Sequence, residues 1–349
     1  MRTLSDYTLE EFQRELVGWG FKPSHAARVL RAHYAQDPER PLAALAVPRP
    51  LAARLAGVLP GPGQNPSVRR VAEDGTRKLL LRLQDGRTVE TVLMPDHRDD
   101  RAAGCVSSQV GCAMGCDFCA TTKTGFERNL TPGEIVEQFL ALRREARDSG
   151  RRLQTLVFMG MGEPMLNLGA VMEAIRRIAA NHLGALGWRQ VTVSTVGIVP
   201  GIDALAASGL NVHLAVSLHG PDDATRRALI PAGRRFGLEE ILAAADRYQA
   251  RTGRPVTIQY CLLKGVNDAP AQALKLAELV GARRMHVNLL HYNPTGLSLR
   301  GLAYEPASAD ASQAFLQVLR DRKVVAHFRR SRGDDIEAAC GQLRRRAAG

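Results

Sequence analysis

The chain has no apolar run long enough to cross a membrane, and its first residues, Met1-Arg2-Thr3-Leu4-Ser5-Asp6, carry no apolar signal region. The expectation is a cytoplasmic protein with no membrane partner. Cysteine is scarce: six in 349 residues do not build a disulfide framework. A reducing compartment suits thiols that stay free. There is no internal repeat and no low-complexity segment, which sets aside a solenoid or a disordered tail. Acidic residues are in deficit, with Asp+Glu 35 against Lys+Arg 47 and a net charge of +12.

That excess is mostly arginine, whose planar fork suits phosphate, and it points to a polyanion such as nucleic acid. Liberal arginine usage alone gives the same excess without a partner. Hydrophobic residues at 45% and charged residues at 23% describe a globular chain, long enough for one large or two smaller domains. Residues 1 to about 59 read as helical. Thr8-Leu9-Glu10-Glu11 is a capping box, and Leu9, Phe12, Leu16 and Val17 fall on one face behind it. Ala26–Ala35 and Pro50–Val58 are further helices. The Pro/Gly density of Leu59–Pro66 marks a linker. Runs joined by Asp74-Gly75 and Asp85-Gly86 predict a β-meander over Ser67–Pro95. The suggested division is a helical domain over 1–63, a meander and linker over 64–103, and a core over 104–349.

From Gly104 strands and helices alternate. Strand candidates are Cys105–Val110, Leu153–Met159, Val191–Thr195, Val212–Ser217, Val256–Leu262, Met285–Leu290 and Val324–Arg329. The best-marked helix starts at Thr131-Pro132-Gly133-Glu134 and stops at Gly150. Such alternation gives parallel βαβ units, and the predicted fold class is α/β, a partial (β/α)6 TIM-like barrel. Active sites of barrels lie at the C-terminal ends of the strands. The unusual polar residues collect there: Gly160-Met161-Gly162-Glu163-Pro164, Ser194, Ser217-Leu218-His219 and Asn293-Pro294.

Cys112-Ala-Met-Gly-Cys116-Asp-Phe-Cys119 follows the first of these strands. Zinc or a cubane iron–sulfur cluster usually takes four protein ligands, and this C-x3-C-x2-C run offers three. Three thiolates leave one metal corner for another ligand, a pattern that resembles the radical S-adenosylmethionine (SAM) enzymes. Zinc is the alternative, with Cys105 the nearest fourth ligand. In Met159–Pro164 the two glycines let backbone approach a ligand, and Glu163 offers a carboxylate to an ammonium group. His213 and His219 have the chemistry of ligands, although lone histidines are more often structural. Cys261, amid apolar neighbours, reads as core.

Four further segments extend the pattern: Cys105–Cys112, Gly125-Phe126-Glu127-Arg128-Asn129-Leu130, Met159–Pro164 and Arg332–Leu343 with its Ala-Ala-Cys-Gly-Gln-Leu ending. Together with the cysteine loop they resemble the RlmN/Cfr family of radical SAM RNA methyltransferases over nearly the whole length. The resemblance implies that Cys112, Cys116 and Cys119 hold a [4Fe-4S] cluster, and that Gly162, Glu163, Ser194, Ser217, Leu218, His219 and Asn293 bind SAM. It implies that Cys340 takes a methyl from one SAM. A second SAM then yields a 5′-deoxyadenosyl radical that abstracts hydrogen from that methyl, and the methylene radical adds to an adenine carbon. Glu90, in Glu90-Thr91-Val92-Leu93-Met94-Pro95, matches the family's proton acceptor. Cys105 releases the product by forming a transient disulfide with Cys340. The implied substrate is 23S rRNA at adenine C2, with tRNA a further candidate, and the electron donor a flavodoxin or ferredoxin. Methylation at C8, as in Cfr, is the alternative; the proline after Glu163 looks more like RlmN. Two departures stand out: the stretch Asp96–Gly104 reads as a loop longer than usual, and His291–Ser298 lacks the commoner tryptophan.

Overall fold

The structure, a computed structural model, describes residues 2–37, 45–58 and 66–343. Helix α1 (Leu9–Gly18) opens on the predicted capping box. Thr8 Oγ1 accepts from the Glu11 amide at 3.1 Å, and Glu11 Oε2 accepts from the Thr8 amide at 2.9 Å. Phe12 and Leu16 are buried, but Val17 is 58% exposed. One step past Leu16 turns about 100° around the axis, out of the apolar stripe. Helices α2 (His25–Ala35) and α3 (Arg49–Val58) follow. Of the expected linker, residues 59–65 lie outside the described residues.

Strands β1 (Val68–Val71), β2 (Arg77–Arg82) and β3 (Thr88–Pro95) form the predicted antiparallel meander. In each turn the aspartate oxygen accepts from the amide two residues on, at 2.9 Å for Asp74–Thr76 and 3.0 Å for Asp85–Arg87. Gly75 and Gly86 then take φ of +80° and +81°, a conformation other residues resist.

The first strand of the core departs from expectation. It is not Cys105–Val110 but β4 (Arg101–Cys105), within the stretch expected to be a loop. The Asp96 amide donates to Arg101 O at 3.0 Å, closing a turn that sets Met94 opposite Ala103 and Val92 opposite Cys105. The strand's Ala-Ala-Gly interior has weak β propensity, which hid it. Its small residues answer to packing: a Cβ on Gly104 would lie 2.8 Å from Leu142 Cδ1. Gln109–Gly111 (β5) instead pairs with Phe126–Asn129 (β6) in a separate ribbon, with the short helix α4 (Ala120–Lys123) between them.

Helix α5 (Pro132–Asp148) carries the expected Thr131/Glu134 box. Strands β7 (Arg152–Phe158), β8 (Val191–Thr195), β9 (His213–Ser217), β10 (Val256–Leu262), β11 (Met285–His291) and β12 (Ala326–Arg329) alternate with α6 (Leu168–Ala179), α7 (Val199–Ala207), α8 (Asp223–Leu229), α9 (Leu238–Thr252), α10 (Pro270–Val280) and α11 (Ala309–Asp321). Among the described residues, the ten strands outside the ribbon form one sheet in the order β1-β2-β3-β4-β7-β8-β9-β10-β11-β12, with no pairing recorded between β1 and β12. From β4 to β12 each neighbouring pair is parallel, the open α/β barrel that the alternation predicts. Strand β4 pairs with both the meander and β7, so residues 103 and 104, the suggested division, lie within one strand. Strands covered on both faces are apolar nearly throughout, as Leu214–Val216 and Ile258 show. The N-terminal segment docks on α5 through buried polar groups. Ser5 Oγ donates to Glu137 Oε1 at 2.5 Å and meets His33 Nε2 at 2.7 Å.

Candidate active site

Segment 105–112 is a hub beneath the strand ends. Ser107 Oγ donates to Glu90 O at 2.7 Å and accepts from the Met161 amide at 2.9 Å, while Gln138 Oε1 accepts from the Ser107 amide at 2.7 Å. Gln109 Oε1 accepts from the Glu163 amide at 2.8 Å. These bonds explain the glycines of Gly160-Met161-Gly162. A Cβ on Gly160 would lie 2.7 Å from Ser107 Oγ, and one on Gly162 2.5 Å from Gln109 Cβ; Gly162 also holds φ +97°. The close approach expected toward a ligand is thus made to the chain's own hub.

Glu163 is buried, and its carboxylate accepts two backbone amides, Met165 at 3.0 Å and Val196 at 2.9 Å. It braces two strand-end loops against each other. Each carboxylate oxygen keeps further acceptor capacity for an ammonium group. Burial pushes its carboxyl above the usual range, opposed by those hydrogen bonds.

The cysteine loop is held from several sides. The Cys112 amide donates to Gly125 O at 3.1 Å, the Asp117 amide to Leu229 O at 2.9 Å, and Thr122 Oγ1 to Cys116 O at 3.0 Å. Cys112 and Cys116 are buried with Met114, Leu229, Ile230, Cys261, Leu263 and Tyr292, an apolar wall that keeps water away. Burial pushes the Cys112 thiol up to about 12 and the Cys116 thiol well above its ordinary value. Such thiols are poor ligands until a metal draws off their protons. Among the described residues no three His, Cys, Asp or Glu side chains gather tightly enough for a single ion. Three thiols on one loop fit a cubane, whose cysteines each bind a different iron.

Around the loop lie the other expected residues. Ser194 and Ser217 are half-buried at the ends of β8 and β9. Leu218 is buried, its amide donating to Gln259 O at 3.0 Å. His219 takes φ +56°, unusual outside glycine, with Nδ1 accepting from the Cys261 amide at 3.0 Å. Its ring meets Phe118 of the cysteine loop edge to face at 4.9 Å. Burial, with Arg226 nearby, lowers His219 to about 3, so the ring is neutral and carries its proton on Nε2. His213 is half-buried one strand-length away, at the start of β9, and belongs to the fold. Cys261 is buried in β10, as expected of a core residue, and adjoins the cysteine loop.

The C-terminal segment closes over this group. Gly341 O accepts from the Ala120 amide at 2.7 Å, Leu343 O from Thr121 Oγ1 at 2.6 Å, and Cys340 O from Asn293 Nδ2 at 3.4 Å. Cys340 is thereby held beside the cysteine loop. The residue is exposed, yet the surrounding chain raises its thiol by burial, against the pull of Arg329. Cys105 is buried at the end of β4, and its thiol is raised first by burial and then by the nearby Cys340 sulfur. Glu90 lies on β3, buried, with Oε1 3.2 Å from Lys78 Nζ.

Two residues escaped the sequence reading. Arg226 is buried behind the strand ends, donating from Nη1 to Ser217 O at 2.9 Å and Leu218 O at 2.8 Å, with Nη2 against Val196 O. Burial lowers it to about 10. Lys78 is the other. Both sit in runs that read as ordinary helix surface or alternating strand, and no motif marks them.

The radical SAM superfamily model matches residues 106–277. A protein of Opitutus terrae named "Probable dual-specificity RNA methyltransferase RlmN 1" is 66% identical over 98% of this chain and 96% of its own length. A Rhodopirellula baltica protein of the same kind of name is 46% identical over 78% of this chain and 72% of its own. The crystal structure of a radical SAM methyltransferase from Sphaerobacter thermophilus superposes with a TM-score of 0.91 at 43% identity, covering 98% of this chain and 99% of that one.

Proposed function

Because the chain belongs to the RlmN family of radical SAM RNA methyltransferases, we propose that it methylates C2 of an adenine in 23S rRNA, and of an adenine in tRNA, through an S-methylcysteine at Cys340. The observation that carries this is the seating of Cys340. Its segment is hydrogen-bonded to the helix that follows the cysteine loop, through Ala120 and Thr121, and to Asn293 at the end of the sixth core strand. A methyl carrier must come within reach of both SAM and the RNA base.

Family membership implies a [4Fe-4S] cluster and SAM, which together supply a 5′-deoxyadenosyl radical. Cys112, Cys116 and Cys119 are the residues that would hold the cluster. Gly162, Glu163, Ser194, Ser217, Leu218, His219 and Asn293 are the residues that would bind SAM. The Cys340 sulfur gives up its proton and takes a methyl, which becomes the carbon delivered to adenine. An aromatic C–H at an amidine carbon is neither nucleophilic nor acidic, so ordinary methyl transfer fails there. Glu90 takes the proton from C2 of the crosslinked base. The Cys105 thiol loses its proton and its thiolate attacks the Cys340 sulfur. The S–S bond forms as the S–CH2 bond breaks, and the electron pair left on that carbon, delocalised into the purine, takes up a proton to become the methyl group of the freed RNA. A flavodoxin or ferredoxin would supply electrons, and the cytoplasm is the compartment where free thiols and rRNA coexist. The N-terminal segment, residues 1–63, with its helices α1 to α3, is the part we assign to gripping RNA.

The test is nucleoside mass spectrometry on unmodified 23S rRNA fragments treated with anaerobically reconstituted protein, SAM and a reductant. 2-Methyladenosine is the expected product. 8-Methyladenosine would assign the Cfr chemistry instead. SAM cleavage without any methyladenosine would overturn the substrate.

A further inference from the structure

We propose that Lys78 is a positioning residue for Glu90, one that ties the proton acceptor to the segment bearing the methyl-carrier cysteine. This rests on the roles proposed above for Glu90 and Cys340. The sheet dictates the placement. Val92 on β3 pairs with Lys78 on β2 and with Cys105 on β4, so these three side chains share one face. Glu90 is two residues from Val92 and lies on that face too. A lysine, a glutamate and the resolving thiol therefore line one patch of sheet.

Lys78 and Glu90 are both buried, and the Lys78 ammonium bridges two partners. It lies 3.2 Å from Glu90 Oε1 and donates to Glu337 O at 2.8 Å. Glu337 stands three residues before Cys340 and holds φ +55°, so its carbonyl is aimed by an unusual backbone turn. That turn is fixed further by the Ala338 amide on Gly333 O at 2.8 Å and the Glu73 amide on Asp335 Oδ2 at 3.1 Å. The ammonium thus joins the carboxylate to the carrier segment through two contacts on one atom. A buried lysine with these partners costs desolvation that packing alone would not repay, whereas methionine would fill the same space. In the step served, the C2–H bond of the crosslinked adenine breaks, its electron pair stays with the purine, and the proton goes to a Glu90 oxygen. Lys78 holds that oxygen toward the base only while the carrier segment is seated.

The test measures covalent RNA–protein adduct on denaturing gels for the wild type, K78Q, K78R and E90Q, with Cys340 methylation and 5′-deoxyadenosine formation measured alongside. E90Q is expected to accumulate adduct. K78Q is expected to methylate Cys340 and cleave SAM normally, yet clear adduct at least ~10-fold more slowly, since small misplacements of a catalytic group cost up to ~100-fold. K78R, which restores a cation, is expected to recover most of the clearance. K78Q clearing adduct at the wild-type rate while E90Q traps it overturns the role of Lys78 and leaves that of Glu90 standing. K78Q that fails to methylate Cys340 also overturns it, because Lys78 would then serve only the carrier segment. E90Q turning over normally overturns the role of Glu90, and this inference with it. If K78Q does not fold, K78R decides: clearance near wild type supports the proposal, and clearance as slow as E90Q overturns it.

Discussion

Three cysteines, two lone thiols and two buried carboxylates make up the proposed site, and each makes a separate demand. Cys340→Ala removes the proposed methyl carrier and is expected to abolish methylation. Cys105→Ala keeps the carrier but removes the thiol that releases it, so protein is expected to remain covalently attached to RNA, as a gel of labelled RNA would show. If neither variant changes turnover, the two-thiol scheme is wrong. Glu163 makes a structural demand as well. Glu163→Gln would set an amide NH2 against the backbone N–H of Met165 or Val196. One buried donor would lose its acceptor, at a cost of about 1–3 kcal/mol. A lower Tm of the apoprotein is expected, and an unchanged Tm would show that the brace contributes nothing. The cysteines were legible because their spacing is rare. The bracing role of Glu163 was not, because its two donors come from residues 2 and 33 positions away that only the fold brings near. Lys78 was hidden because its alternating strand also reads as half solvent-facing, while the C-terminal segment that covers it is 259 residues distant.

Elements were readable where their ends are chemically marked. The capping boxes of α1 and α5 and the two Asp-Gly turns stand where expected, since each is set within a few residues. β4 was misplaced because its residues are chosen by a neighbour: Gly104 must be small to clear Leu142 of α5, and smallness weakens the strand signal. The glycine turn after β7 carries the sharpest expectation at this scale. Gly162→Ala meets both a left-handed φ of +97° and a contact of 2.5 Å with Gln109 Cβ. Strain of this kind costs about 1–3 kcal/mol before the clash is counted. The turn is expected to shift and carry Glu163 with it. SAM binding by equilibrium dialysis should then weaken more than the Tm falls. A variant that binds SAM like the wild type would show that this loop does not set the SAM site.

At the scale of the molecule, a buried polar joint attaches the N-terminal helices to the barrel, and its protonation governs how they respond to acid. Ser5 donates to Glu137, so His33 Nε2 must donate to the Ser5 oxygen. That fixes the tautomer with Nδ1 bare, and Nδ1 meets no hydrogen-bond partner among the described residues. Protonating it would place a charged N–H where nothing accepts it. Glu137 lies 3.7 Å from Nε2 and favours the cation. Burial and then Arg144 nonetheless lower His33 to about 4, and the bare Nδ1 explains why the carboxylate does not prevail. A histidine depressed on folding contributes stability that is present above its unfolded pKa of ~6.5 and lost as pH falls toward the folded value. Between about pH 6.5 and 4, unfolding takes up one proton at His33, so stability should fall by up to about 1.4 kcal/mol per pH unit from this residue. His219, lowered to about 3, adds a second increment of the same sign. His33→Gln keeps a hydrogen-bonding partner for Ser5 and removes the titration. Urea unfolding between pH 7 and 4.5 is expected to give a shallower pH slope for H33Q than for the wild type, with hydrogen exchange in residues 9–35 of the wild type accelerating first as pH drops. Equal slopes for the two proteins would mean that His33 is not held neutral in the folded protein.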